Sequence, residues 1–196
     1  MNVIAVKTQQ VFNLPNEEAT AVLAQEMAAA LLASEALGAP LIPLLVYLHG
    51  DLGAGKTFFV RSLLHALGFL GRVKSPTFTL MESYSTKKGQ PHALNQTSNH
   101  NTHHSINIYH FDFYRFEDGA DWRDAGFEEV LPGDGIAMVE WPEKAAGLPI
   151  ADIEISLQLG ESESERIASI ASFSSKGVKL LAALIGLPTL QMQAKL

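Results

Sequence analysis

The stretch Gly50-Asp51-Leu52-Gly53-Ala54-Gly55-Lys56-Thr57 fits G-x-x-x-x-G-K-[ST] at every fixed position. Each residue type has a physical task in polyphosphate binding. Glycines let the chain wrap an anion with its N–H groups turned inward, and a helix that starts at the lysine adds its positive end. Lys56 can reach the β- and γ-phosphates, and the Thr57 hydroxyl can ligate Mg2+. Phe58 stands where many NTPases carry a second Ser or Thr for the α-phosphate, so somewhat looser nucleotide binding is expected.

Such a loop also needs an acidic partner for the metal at the end of a neighbouring buried strand. Two carboxylates fit: Glu140, which follows the apolar run Ile136 to Val139, and Asp112, which follows "INIYHF". In open α/β sheets, ligands collect beyond the strand ends where these side chains would lie. Trp141, next to Glu140, is a candidate cover for the site. In "KSPTFT" a proline fixes the turn while Ser75 and Thr77 present hydroxyls. That pattern serves either a γ-phosphate switch or a plain turn leading into a strand.

The elements that must hold these residues are legible in the hydropathy pattern. Asn16 to Leu37 has apolar residues at helical spacing, with Asn16 as N-cap and Gly38 with Pro40 closing the segment. Leu44 to Leu48 is apolar at every position, as a parallel strand covered on both faces would be. Lys56 to Leu67 resumes helical spacing and stops at Gly68. Strands are expected over Thr77 to Tyr84, Ile106 to Tyr114, Gly135 to Val139, Asp152 to Leu159 and Ile167 to Phe173. Helices are expected over Glu117 to Val130 and from Lys176 to Ile185. This order predicts an α/β fold: a single P-loop NTPase domain over residues 1–196, with a mixed, mostly parallel sheet flanked by helices.

One segment stands apart. Residues 85–105, "STKKGQPHALNQTSNHNTHHS", offer little to a core and read as a flexible polar insertion within the domain. Its His92, His100, His103 and His104 raise the possibility of a metal site. With no carboxylate in the segment and no His pair in a structured context, a solvated loop is the better reading.

Composition narrows the function. A formal charge of −7 argues against a chain that holds nucleic acid by itself. The absence of cysteine excludes disulfides, thiolate metal sites and cysteine nucleophiles. Met1 to Phe12 lacks the cationic start and apolar core of a secretory signal, and no stretch approaches the roughly 20 apolar residues that span a bilayer. A cytoplasmic protein with no membrane association is expected.

With these residues assembled, the chain resembles the bacterial tRNA threonylcarbamoyladenosine biosynthesis ATPase family, TsaE. The likeness runs from "LPNEEAT" through "GDLGAGKT", "VKSPTFTL", "YHFDFYR" and "VEWPEK" to "LPIADIEI", most of the chain in order. It implies an ATP-binding, Mg2+-dependent ATPase that works with two partners; with so few arginines in the chain, hydrolysis slow alone and faster in the presence of those partners is expected. Those partners are the TsaB and TsaD subunits, which modify the tRNA adenosine next to the anticodon, so this chain would meet tRNA indirectly. The resemblance also implies that Glu140 joins Thr57 as a Mg2+ ligand and that Asp112 is a catalytic or switch carboxylate. Thr77 would belong to a switch-like segment, and Glu17 would lie where the N-terminal segment approaches the nucleotide. The long 85–105 segment and "EDGADWRDAGFEE" depart from the family pattern outside the phosphate site.

Two other classes use the same loop. A small-molecule kinase usually brings lid arginines, which residues 85–105 lack, and a GTP-dependent binding switch commonly carries Asn-Lys-x-Asp, which is absent. Of the five arginines, only Arg115 lies in a motif near the expected site.

Overall fold

The computed structural model describes residues 8–86, 105–131 and 133–185. The histidines expected to lie in a polar insertion fall outside this set. The N-terminal half is built around β2 (Leu44–His49), which runs into the glycine loop and then α2 (Lys56–Ala66). Five of the six residues of β2 are buried, so its continuous apolar run is what two covered faces require. Before it come β1 (Thr8–Leu14) and the alanine-rich α1 (Glu17–Ala36). Asn16 caps α1 as expected, its Oδ1 accepting from the Ala19 N–H at 2.9 Å.

The remaining strands are β3 (Met81–Ser85), β4 (Asn107–Asp112), β5 (Ile136–Glu140), β6 (Ile153–Leu159) and β7 (Arg166–Ser172), followed by a C-terminal helix (Ser175–Ile185). Together they form one sheet in the order β1-β7-β6-β2-β5-β4-β3. The sheet is mixed: β1, β2, β4, β5 and β6 run one way, β3 and β7 the other. β1 has no counterpart in the sequence reading. Its alternation is clear only at the buried Phe12 and Leu14, while the Thr8-Gln9-Gln10 half is polar.

The two faces of the sheet are covered differently. Leu44, Val46 and Leu48 pack with α1, α2 and the C-terminal helix in the larger core. Leu45, Tyr47, Phe111 and Val139 face a second core closed by Phe116 and Trp122 from an irregular segment. The helix expected over Glu117 to Val130 is therefore broken. Only α3 (Asp121–Asp124) and a 3-10 turn (Phe127–Glu129) form. Gly126, at φ 76, ends the first piece, and the Asp121 carboxylate accepts the N–H groups of Glu117 and Asp118 in a local turn. Docking of Trp122, whose indole donates to Ala146 O at 2.9 Å, outweighs helical continuation.

The strand expected from Thr77 likewise starts only at Met81. Residues 77–80 form a turn instead, with Leu80 at φ 64 and its N–H on Pro76 O.

Candidate functional site

Three parallel strands end at one place. The register sets Leu48 of β2 opposite Glu140 of β5, and Glu140 opposite Asp112 of β4. Both carboxylates are buried there, beside the start of the glycine loop, and a cleft of about 540 Å3 opens over them. Loop residues Leu52 to Thr57 line it, and Glu17, Thr77, Asp112, Glu140 and Trp141 all reach it. Gly50 and Asp51 do not. They act from behind, through carbonyls that hold Lys56. Gly50 is required for contact: a Cβ there would lie 2.3 Å from the Leu157 carbonyl of β6. Gly55 precedes α2 at φ 106, a backbone that side chains rarely adopt.

Lys56 is 4% exposed. Its ammonium donates to the carbonyls of Gly50 and Asp51, and it lies 3.9 Å from the centroid of the Trp141 ring. Among the described residues no carboxylate comes within ion-pair distance of it. Burial pushes its pKa below the ordinary lysine value, against the opposing fields of Glu140, Glu143, Asp112 and Asp51. A desolvated cation without a counter-charge is costly, and an anion in the cleft would answer it. Trp141 is held over it by a left-handed backbone, φ 58, with its N–H on Leu48 O at 3.3 Å.

Thr57 and Glu140 already form a pair: the hydroxyl donates to Glu140 Oε1 at 2.7 Å. A threonine in this arrangement can keep its hydrogen on the carboxylate while offering a lone pair to a cation, so the two residues suit a hard, oxygen-liganded metal such as Mg2+.

Asp112 is more heavily engaged. Its Oδ2 accepts from Ser75 at 2.7 Å and from Thr77 at 2.5 Å, and its Oδ1 accepts the Tyr114 N–H at 3.0 Å. The 75–77 turn is thus tied to the strand-end carboxylate. Of the two readings the sequence left open for it, the plain turn leading into a strand describes its shape.

Three groups at the site escaped the sequence reading. Arg166, from β7, donates from Nε to Ala54 O at 3.0 Å and from Nη2 to Gly53 O at 3.3 Å, and it also holds the carbonyls of Glu163 and Glu165. Arg61, on α2, lines the same cleft and donates to Val73 O at 3.3 Å. Arg115, the arginine the motifs favoured, instead lies over the Phe78 ring at 4.2 Å. His110, buried on β4, reaches Glu140 at 2.8 Å. Arg166 lies 110 residues from Lys56 and outside any motif, so only the fold could reveal it.

Arg166 also lines the cleft, so it fixes two loop carbonyls and brings a positive charge to the same opening. Arg166→Gln is expected to weaken ADP binding about tenfold, the loss of roughly 1.4 kcal/mol of charge-assisted hydrogen bonding. Calorimetric titration of ADP checks it, and an unchanged Kd would contradict the role.

At the back of the loop, His49 Nδ1 is 3.4 Å from Glu143 and its Nε2 is 3.4 Å from Glu154. The two carboxylates, Glu143 first and then Glu154, favour the protonated ring and raise the His49 pKa from 6.5 to about 9, against burial. The raised folded-state value means that the stabilisation is fully present below about pH 6.5 and is lost as pH rises through 9. The difference in melting temperature between the wild-type protein and His49→Gln should therefore be largest at pH 6 and vanish by pH 10. A difference that grows with pH would contradict the assignment.

A glycine loop between a parallel strand and a helix, with a buried lysine behind it and carboxylates at the adjoining strand ends, defines a P-loop protein of the nucleotide-binding α/β class. The family model described as "Threonylcarbamoyl adenosine biosynthesis protein TsaE" matches residues 14–168, and this chain belongs to that family. A Haemophilus influenzae relative named "tRNA threonylcarbamoyladenosine biosynthesis protein TsaE" is 39% identical over 115 residues, 58% of this chain and 62% of that protein. A Rickettsia felis relative of the same name is 34% identical over 167 residues, 83% of this chain and 80% of its own length. The match thus spans less than two thirds of the first of these proteins and four fifths of the second. The crystal structure of Bacillus subtilis YdiB has the same fold, with a TM-score of 0.62 at 23% identity, covering 90% of this chain and 94% of that one.

Proposed function

We propose that this chain binds and hydrolyses ATP with Mg2+ in the biosynthesis of threonylcarbamoyladenosine in tRNA, working in the cytoplasm with TsaB and TsaD subunits and reaching tRNA through them. The observation that carries this reading is Lys56, a buried ammonium that borders the cleft, held by two main-chain carbonyls and, among the described residues, beyond ion-pair distance of any carboxylate. A triphosphate supplies the missing counter-charge. The relatives' names supply the process, and the acidic balance of the chain fits a subunit that leaves tRNA contact to others. Among the described residues no helix is long and apolar enough to cross a membrane.

In this scheme the loop amides and Lys56 bind the phosphates, Thr57 and Glu140 hold Mg2+, and Trp141 covers Lys56. Glu17 and Leu52 border the cleft around the rest of the nucleotide. When bound, Mg2+ neutralises charge on the phosphate oxygens that develop it during transfer. Asp112, whose carboxylate is bound to Ser75 and Thr77, couples the nucleotide's terminal phosphate to the 75–77 turn or orients the attacking water. Positioning and electrostatics supply most of the acceleration in such reactions. Arg61 and Arg166 are the arginines at hand, and both are already occupied with main-chain carbonyls, so slow hydrolysis by the chain alone is expected.

Displacement of a fluorescent ADP analogue tests the site. ATP and ADP should compete and GTP should compete at least tenfold less well. Equal competition by GTP would favour the binding-switch reading, and phosphate transfer to an offered metabolite would favour a kinase.

A further inference from the structure

Beneath the cleft lies a histidine with one task in view. His110 has no solvent exposure, and its flanking neighbours on the same face of the sheet, Ile108 on β4 and Met138 opposite it on β5, belong to the apolar core. Nε2 is 2.8 Å from Glu140 Oε1, while among the described residues Nδ1 is enclosed without a hydrogen-bond partner. Burying a polar ring with one nitrogen unsatisfied is unfavourable, and an apolar side chain of similar volume would fill the position at less cost. What the imidazole adds is a single hydrogen bond, and it goes to Glu140.

That bond lands on an oxygen already in use. Glu140 Oε1 also accepts the Thr57 hydroxyl at 2.7 Å, so two donors from two different elements meet on one oxygen. Among the described residues nothing donates to Oε2, and Glu140 lines the cleft. A carboxylate with one oxygen fastened twice has its rotation fixed and its other oxygen available. For the carboxylate oxygen to be satisfied from His110, the ring must carry a hydrogen on Nε2 and donate it to Glu140.

We infer that His110 is a positioning residue for the nucleotide's metal: by donating from Nε2 to Glu140 Oε1 it keeps Oε2 free and oriented for Mg2+. The inference rests on the reading of the cleft as a Mg2+-nucleotide site. Partners that orient a metal-binding carboxylate commonly change metal affinity 10- to 100-fold when removed. The effect of His110 should therefore be confined to the metal-dependent part of nucleotide binding. It should leave the metal-free part, which belongs to the loop and Lys56, untouched.

The test is calorimetric titration of ADP into the full chain, in EDTA and then in excess Mg2+, for the wild-type protein, His110→Leu and His110→Gln. Glutamine places an N–H donor at about the reach of Nε2, whereas leucine fills the space without one. The wild-type protein should bind ADP more tightly with Mg2+. His110→Leu should lose at least tenfold of that Mg2+-dependent gain while its affinity in EDTA stays within twofold. His110→Gln should retain most of the gain. If the leucine protein does not fold, His110→Met, unbranched and flexible, takes its place on the same terms.

An undiminished gain without the donor would overturn the inference, as would equal loss in the leucine and glutamine variants, which would assign the residue to packing. Failure of the wild-type protein to bind ADP in either condition would instead bring down the reading of the cleft, and the inference with it.

Discussion

Lys56→Ala is expected to raise the Kd for ADP by 100-fold or more and to leave the nucleotide-free protein as stable as before. The first half follows from the loss of charge-assisted contacts to phosphate, worth about 1.5 to 3 kcal/mol each, so that two of them amount to roughly 100-fold or beyond. The second half follows from the surroundings of the side chain. Its ammonium is buried, its acceptors are the neutral carbonyls of Gly50 and Asp51, and burial already disfavours its charge. Removing it relieves a desolvation cost as well as deleting two hydrogen bonds and a contact with Trp141. Fluorescence anisotropy with labelled ADP and a thermal melt without nucleotide check both halves together. Retained affinity would remove the lysine from the phosphate site. A large fall in melting temperature would make it a structural residue that happens to stand in a glycine loop.

Asp112→Asn should act on turnover and spare binding. The substitution keeps the shape of the side chain and can still accept from Ser75, but the amide no longer offers a charged oxygen to the hydroxyls of Ser75 and Thr77. A positioned carboxylate in this role contributes about 100- to 10,000-fold, so kcat for ATP should fall at least 100-fold while the Kd for ADP changes less than threefold. Thr77→Val removes one of the two hydroxyls on Oδ2 and should lower kcat by a smaller factor in the same direction. Rapid-quench measurement of ATP cleavage separates the two quantities. Equal losses in kcat and ADP affinity would show that Asp112 shapes the cleft and does not take part in the reaction.

The parts of the molecule that were legible in its sequence are those whose physics is local. The loop at 50–57 has a recognisable spacing because its turn, its lysine and the start of its helix follow one another within eight residues, and β2 and β5 are apolar up to their last residues because both faces are covered. The cap of α1 sits three residues before the N–H it satisfies. Glu140 and Asp112 could be placed at strand ends from their position after apolar runs. What the sequence hid depends on distant partners. Arg166 grips the loop from β7, with β6 between it and β2, and lies 110 residues along the chain from Lys56. β1 pairs with β7 across more than 150 residues, and half of it shows no alternation. The helical stretch expected over Glu117 to Val130 failed because Trp122 and Phe127 dock against the aromatic face of the sheet, with Phe127 5.2 Å from Phe111, and that packing overrides local propensity. His110 was present in "YHFDFYR", yet a lone histidine inside a buried strand has no spacing pattern that would link it to Glu140.

The most direct test of the account is ATP hydrolysis by the purified chain, measured alone and then with TsaB, TsaD and tRNA, with Lys56→Ala as the control. Slow turnover alone, raised by the partners and abolished by the substitution, is the predicted result. Turnover that the partners leave unchanged, or that survives in Lys56→Ala, would contradict it.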